Sequence, residues 1–194
     1  MLNSRSFLTY LHELAGDVDG DLSGVAEHLD ELTDTLEQVV PGFAGLQLTV
    51  VRFGHPVTLD ATRTEPGHRV VSSLRVPLPL LSLEFEPGGQ TVFYSAVPGA
   101  LLDLAADLTH LLVSRAHAGT AGAVVELDVD LPLVPGGPLL TGLGDLITVN
   151  QAHGVLIDQG EDPGTADQAL RRGAAAAGLT PLVFARRLLD HVSA

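Results

Sequence analysis

The chain has 194 residues, 24 of them acidic, and its ten basic residues are all arginine. A net charge of −14 disfavours nucleic acid as a partner, because phosphate contacts supply most of the non-specific affinity. A hydrophobic content of 45% excludes a disordered polyelectrolyte, and the absence of cysteine excludes disulfides, zinc sites with cysteine ligands and thiol catalysis. The longest apolar segment, residues 97–113, contains a proline and two aspartates, so we expect no membrane span. The N-terminal residues lack a signal-peptide pattern, and we expect a cytoplasmic protein.

The first part of the chain combines helix and strand patterns. Amphipathic spacing predicts three helices, over residues 4–16, 21–40 and 98–117. Alternating and β-branched residues predict strands, in chain order, over 45–53, 56–61, 69–83, 81–86 and 91–96. Gly54-His55 is the predicted turn between the first two strands, and two prolines favour an edge or irregular position for the third. Residues 123–133 are either one more strand or an extended connector.

The clearest linker is Pro135-Gly136-Gly137-Pro138, and no strand pattern follows Leu139. We therefore predict two domains, residues 1–138 and 139–194. Charge differs between the two parts of the chain. Residues 1–140 carry 18 acids and 6 arginines, a net of −12, whereas residues 141–194 carry 6 acids and 4 arginines, a net of −2.

Three helices are predicted in the second domain. The first covers residues 143–159 and ends at Gly160. The second begins with a capping box, Thr165 to Gln168, and ends at Gly178. The third begins at Thr180-Pro181, an N-cap followed by proline in the first helical position.

No catalytic motif stands out. The chain has no G-x-S-x-G, no Walker loop and no complete dinucleotide fingerprint, so we predict neither an enzyme nor a cofactor. Residues 17–21, with carboxylates at alternate positions, resemble the start of a calcium loop, but an acidic turn explains them better because the glycine and the twelfth residue do not fit. His110 and His117 are too far apart to share a metal ion, and no metal site is predicted.

The four arginines of the second domain lie opposite its predicted core. Helical-wheel positions place Arg171, Arg172, Arg186 and Arg187 on outer faces. One interpretation is a surface with the i,i+4 ion pairs Asp167–Arg171 and Arg186–Asp190. The other is an arginine face that binds phosphates or stacks on bases.

The first helix of this domain is apolar on more than one side, which requires more than one packing surface. Its predicted stripe is Leu143, Leu146, Ile147, Gly154 and Ile157. We expect His153, beside this stripe, to be buried or at an interface. Gly154 is expected to permit a close approach between helices.

Residues 147–189 resemble the ANTAR domain, a three-helix module that binds RNA in transcription antitermination. The matching features are Gln151-Ala152-His153-Gly154-Val155-Leu156, Ala169-Leu170-Arg171-Arg172, and Ala185 with Leu188-Leu189. The resemblance implies a partner that is an RNA hairpin, often bound by a dimer. RNA contacts would then come from Arg171, Arg172, Arg186 and Arg187, with His153 as a pH-dependent contributor.

The first domain resembles a GAF domain. Ser72–Leu78 is similar to that family's strand before the central loop, and Phe93–Ala96 with the following helix is similar to its closing strand and helix. The resemblance implies an antiparallel sheet flanked by helices, and a small-molecule pocket between the sheet and the loop 62–68. The combined expectation is an α/β sensor followed by a three-helix RNA-binding output, in an actinobacterial type of architecture. The alternatives are a protein-interaction or dimerisation module with the same fold, and an unrecognised hydrolase.

Overall fold

The computed structural model describes residues 23–63, 69–80, 86–115, 125–128 and 140–192. These residues form a mixed α/β structure with six strands and five helices. The helices are α1 (Ser23–Val39), α2 (Leu102–Arg115), α3 (Leu143–Asp158), α4 (Ala166–Ala176) and α5 (Pro181–Val192), and a short 3₁₀ helix covers Leu78–Leu80. The strands are β1 (Phe43–Arg52), β2 (His55–Thr62), β3 (Ser72–Pro77), β4 (Gln90–Ser95), β5 (Glu126–Leu127) and β6 (Leu140–Thr141).

The six strands form one antiparallel sheet in the order β5-β3-β4-β1-β2-β6. Strand β4 lies inside the sheet, between β3 and β1. Phe93 of β4 is paired with Leu46 of β1 and with Leu74 of β3, so the three side chains share one face. All three are fully buried, and the sheet therefore contributes this face to the main core.

The opposite face of the sheet is mixed, because the buried apolar cluster of Ala44, Val92 and Tyr94 lies beside polar side chains. Gln47 Nε2 donates a hydrogen bond of 2.8 Å to Asp60 Oδ1, and Arg75 forms a 2.9 Å ion pair with Glu126. Tyr94 is fully buried on this face, and its hydroxyl has no hydrogen-bond partner among the described residues. Burial, together with the charge of Asp60, raises the pKa of Tyr94 to about 12. This face thus contains a phenol that strongly prefers its neutral form.

Several predicted elements differ from the observed ones. The strand predicted over 69–83 corresponds to β3, which is shorter because the chain enters the 3₁₀ helix directly after Pro77. Strand β4 pairs with β3 and β1, and the hairpin arm predicted for it at 81–86 lies almost entirely outside the described residues. A two-residue strand, β6, does follow Leu139, which the sequence pattern did not predict. The predicted helix 4–16, the acidic residues 17–21, His117, the linker 135–138 and residues 64–68 of the expected pocket loop lie outside the described residues.

The chain divides into two compact units. The first, which we call the sheet unit, comprises Met1–Val51 and Thr58–Leu140. The second, the helical unit, comprises Arg52–Val57 and Thr141–Ala194. The helical unit therefore includes the turn between β1 and β2 as well as α3, α4 and α5. None of the helices that the structure describes is both long and apolar enough to cross a bilayer.

Candidate nucleic-acid interface

The helical unit has a small core to which each of its three helices contributes. Its buried members are Val149, Ala152, Leu170 and Ala185. Partly buried side chains surround them, namely Phe53, Leu156, Leu182, Phe184 and Leu188. Phe53 comes from the β1–β2 turn, so a residue far away in sequence completes the core of the bundle.

The helix ends follow the sequence signals with one exception. Gly160 and Gly178 both have positive φ and follow the last turns of α3 and α4, as predicted. Thr180 Oγ1 accepts a 3.4 Å hydrogen bond from the backbone N–H of Val183, which confirms it as the N-cap of α5. The capping box predicted at Thr165 is wrong, because its hydroxyl donates to the Asp162 carbonyl instead of accepting from the helix.

The apolar stripe predicted for α3 is also partly wrong. The buried residues of α3 are Leu146, Val149, Ala152 and His153. Ile147 and Ile157, which belonged to the predicted stripe, are 45% and 39% exposed. The helix is therefore rotated relative to the prediction, and it keeps apolar side chains on its outer side.

The close helix approach occurs at Gly173 of α4 and not at Gly154 of α3. A Cβ on Gly173 would lie 2.6 Å from Cζ of Phe184 in α5, whereas one on Gly154 would have no neighbour within 4 Å. The absence of a side chain at Gly173 therefore lets the Phe184 ring pack against α4.

All four arginines of α4 and α5 are exposed, but they differ in their partners. Arg171 Nε donates to Asp167 Oδ2 at 2.9 Å, which confirms the predicted i,i+4 pair. Arg186 pairs with Asp145 of α3 at 2.8 Å, so the predicted pair with Asp190 is wrong. Among the described residues, no carboxylate forms an ion pair with Arg172 or Arg187.

His153 is buried, as predicted, with 8% of its surface exposed. Its Nε2 lies 3.8 Å from Asp167 Oδ1, too far for a hydrogen bond, and has no other partner within the described part of the chain. Burial lowers the pKa of His153; the Asp167 carboxylate opposes this shift, whereas the charges of Arg171 and His55 add to it. The ring is thus held neutral at physiological pH.

The β1–β2 turn packs directly against this histidine. The turn residues are Phe53 and Gly54, with φ of 52° and 75°, and not the predicted pair Gly54-His55. Positive φ at both positions is typical of a type I′ turn, which prefers Asn, Asp or Gly at the first position. A phenylalanine in this conformation costs about 1 kcal/mol or more. Its ring meets the His153 ring edge to face, with centroids 4.7 Å apart.

Sequence reasoning missed Phe53 as part of this site. The Phe-Gly pair lacks the side chains that mark a hairpin turn, and the alternation of the strand continues up to Phe53. Phe53 takes the strained conformation because its partly buried ring packs against the core of the helical unit.

The described residues contain no group of three His, Asp or Glu side chains arranged to hold a metal ion. Comparison of the chain with protein-family models, curated proteins and solved structures gives no significant match.

Proposed function

We propose that the chain is a transcription antitermination regulator, in which the helical unit binds RNA hairpins and the sheet unit is the sensor. The proposal starts from the resemblance of residues 147–189 to the ANTAR domain. The observation that carries it is the pair of exposed arginines, Arg172 and Arg187, that no described carboxylate neutralises. One arginine lies on α4 and the other on α5, so two helices of the bundle each offer a guanidinium to phosphate.

Arg171 and Arg186 are assigned a secondary part in this interface. Each is held by an aspartate at 2.8–2.9 Å, and RNA phosphates would compete with that carboxylate for the guanidinium. His153 is buried, so we assign to it an indirect effect on RNA binding through Asp167, which it shares with Arg171.

The sensor role of the sheet unit is supported by one buried polar group on the Tyr94 face of the sheet. The buried hydroxyl of Tyr94, near the charge of Asp60, is a hydrogen-bond donor without a partner among the described residues. A small-molecule ligand with an acceptor group would satisfy it.

Salt-dependent binding to a hairpin RNA tests the proposal. Removing one arginine that binds a phosphate should lower the slope of log affinity against log salt by roughly 1, so Arg172→Ala and Arg187→Ala together should lower it by about 2. Arg69→Ala is the matched control, because it removes an exposed arginine of the sheet unit. The proposal fails if the wild-type chain does not bind hairpin RNA at low salt, or if Arg69→Ala weakens binding as much as Arg172→Ala.

A second candidate is a protein-interaction or dimerisation module. The observation that favours it is the set of exposed apolar side chains on the helical unit: Ile147, Ile157, Val183 and Val192. Gly154, Val155 and Leu189 line a shallow groove between α3 and α5 beside Val192. Sedimentation of wild type and Ile147→Asp tests it: a dimer that the substitution dissociates, with no RNA binding by either protein, supports this candidate over the first.

A further inference from the structure

The β1–β2 turn and the three helices form one compact unit, although more than 80 residues separate them in sequence. Within that unit Phe53 holds an unfavourable backbone conformation, with φ of 52°. A bulky residue keeps such a conformation only where surrounding contacts determine it. Those contacts are the helical core and the edge-to-face packing on His153.

The charged and titratable groups that act on His153 come from two elements. Asp167 and Arg171 belong to α4, and His55 follows the turn at the start of β2. Arg171 also covers the turn, since a Cβ on Gly54 would lie 3.8 Å from its guanidinium. Phe53, His153, Asp167 and Arg171 therefore form a continuous chain of contacts from the turn to the helices.

We propose that the Phe53 turn is a proton-controlled latch, which is docked on the helices while His153 is neutral and is released when His153 takes up a proton. A protonated ring in this position carries its charge away from water, because His153 is only 8% exposed. Asp167, at 3.8 Å, is too far to accept a hydrogen bond from it in the docked arrangement. Burial of the ring opposes the added charge most strongly, Arg171 and His55 repel it, and together these effects outweigh the attraction of the Asp167 carboxylate.

Release of Phe53 lowers the free-energy cost of the protonated His153 ring. When the phenyl ring leaves, water reaches the imidazolium, and the turn no longer has the packing that compensates for its strain. The lowered pKa of His153 determines how the stability of the docked state changes with pH. The docked state has its full stability above the ordinary histidine pKa of about 6.5, and it becomes less stable as the pH falls below that value.

The chain contains no tryptophan, so Phe53→Trp introduces a single fluorescent reporter at the latch. We expect its emission to shift to longer wavelength in one proton-linked step below pH 6.5, while circular dichroism shows that the helices persist. His153→Gln in the same background should abolish the step, because glutamine does not titrate in this range. His55→Gln should retain it.

Three results would overturn the latch. These are an emission that does not change down to pH 5, a step that persists in the His153→Gln variant, or a loss of helix that accompanies the step. If Phe53→Trp does not fold, hydrogen-exchange protection of the Gly54 and His55 amides in the unmodified chain replaces it. A protection factor that falls at least several-fold between pH 7 and pH 5.5, and does not fall in His153→Gln, supports the latch; equal protection at both pH values overturns it.

Discussion

Arginine plays different parts in the two units of this protein. In the sheet unit, Arg63 lies within 3.5 Å of carboxylates of Asp30, Asp34 and Glu37, and it also donates to Thr33 Oγ1 at 2.8 Å. In the helical unit, Arg171 and Arg186 have one carboxylate partner each, and Arg172 extends from the outer face of α4 without an ion pair to any described carboxylate. A net charge of −14 therefore does not describe what each arginine can bind, since internal ion pairs occupy some guanidinium groups and leave others available.

The two units should also differ in their response to pH, and the largest effect is expected in the sheet unit at alkaline pH. The raised pKa of Tyr94 means that the folded chain holds this proton more tightly than the unfolded chain. The stabilisation is present below pH 10 and is lost as the pH rises towards 12, by about 3 kcal/mol at most. Urea unfolding as a function of pH should show this loss in wild type and not in Tyr94→Phe.

The matched control for that experiment is Tyr10→Phe, which removes the other tyrosine of the chain. It should leave the alkaline loss unchanged. An equal loss in Tyr94→Phe would contradict the assignment to Tyr94.

The next largest effect separates two glycines of the helical unit. Gly173→Ala would place a methyl group against the Phe184 ring, and we expect a net destabilisation of about 1–2 kcal/mol because the rigid ring must move. Gly154→Ala is the control, with open space at its Cβ, and should stabilise the unit by up to about 1 kcal/mol through helix propensity. Opposite signs of the change in melting temperature would confirm the packing; two stabilising substitutions would contradict it.

Two arginine substitutions sharpen the comparison between the units. Arg63→Ala should lower the free energy of unfolding by about 1 kcal/mol, since its ion pairs are partly exposed, and should leave RNA affinity unchanged. Arg172→Ala should do the reverse, weakening RNA binding with little change in stability. Denaturation measures the stability of both variants, and titration measures their RNA affinity. The prediction is wrong if both substitutions change the same one of these two properties.

The smallest effect is expected from freeing Arg186. Asp145→Asn removes its carboxylate partner, so RNA affinity at low salt should rise by a few-fold at most, because an exposed pair contributes little. Asp190→Asn, which removes the same charge from a residue that does not pair with Arg186, should give a smaller rise. If the two variants bind RNA equally, only net charge matters at this surface.

Much of the helical unit could be predicted from its sequence. The ends of α3 and α4 at Gly160 and Gly178 follow from glycine's access to positive φ, and the start of α5 follows from Thr180. The Asp167–Arg171 pair follows from four-residue spacing. The RNA partner, the sensor role and the division at residues 138 and 139 stay predictions.

By itself, the sequence determined the mixed α/β composition, the boundaries of the helices in the helical unit and the exposure of the four arginines of α4 and α5, because periodicity and local backbone preference act over a few residues. Only the tertiary structure decided that Arg186 pairs with Asp145, that Gly173 receives the Phe184 ring, and that Phe53 packs on His153. Each of these contacts joins residues from different elements. Spacing along the chain cannot specify them, because they depend on how each helix is rotated and on which side chains fill the shared core.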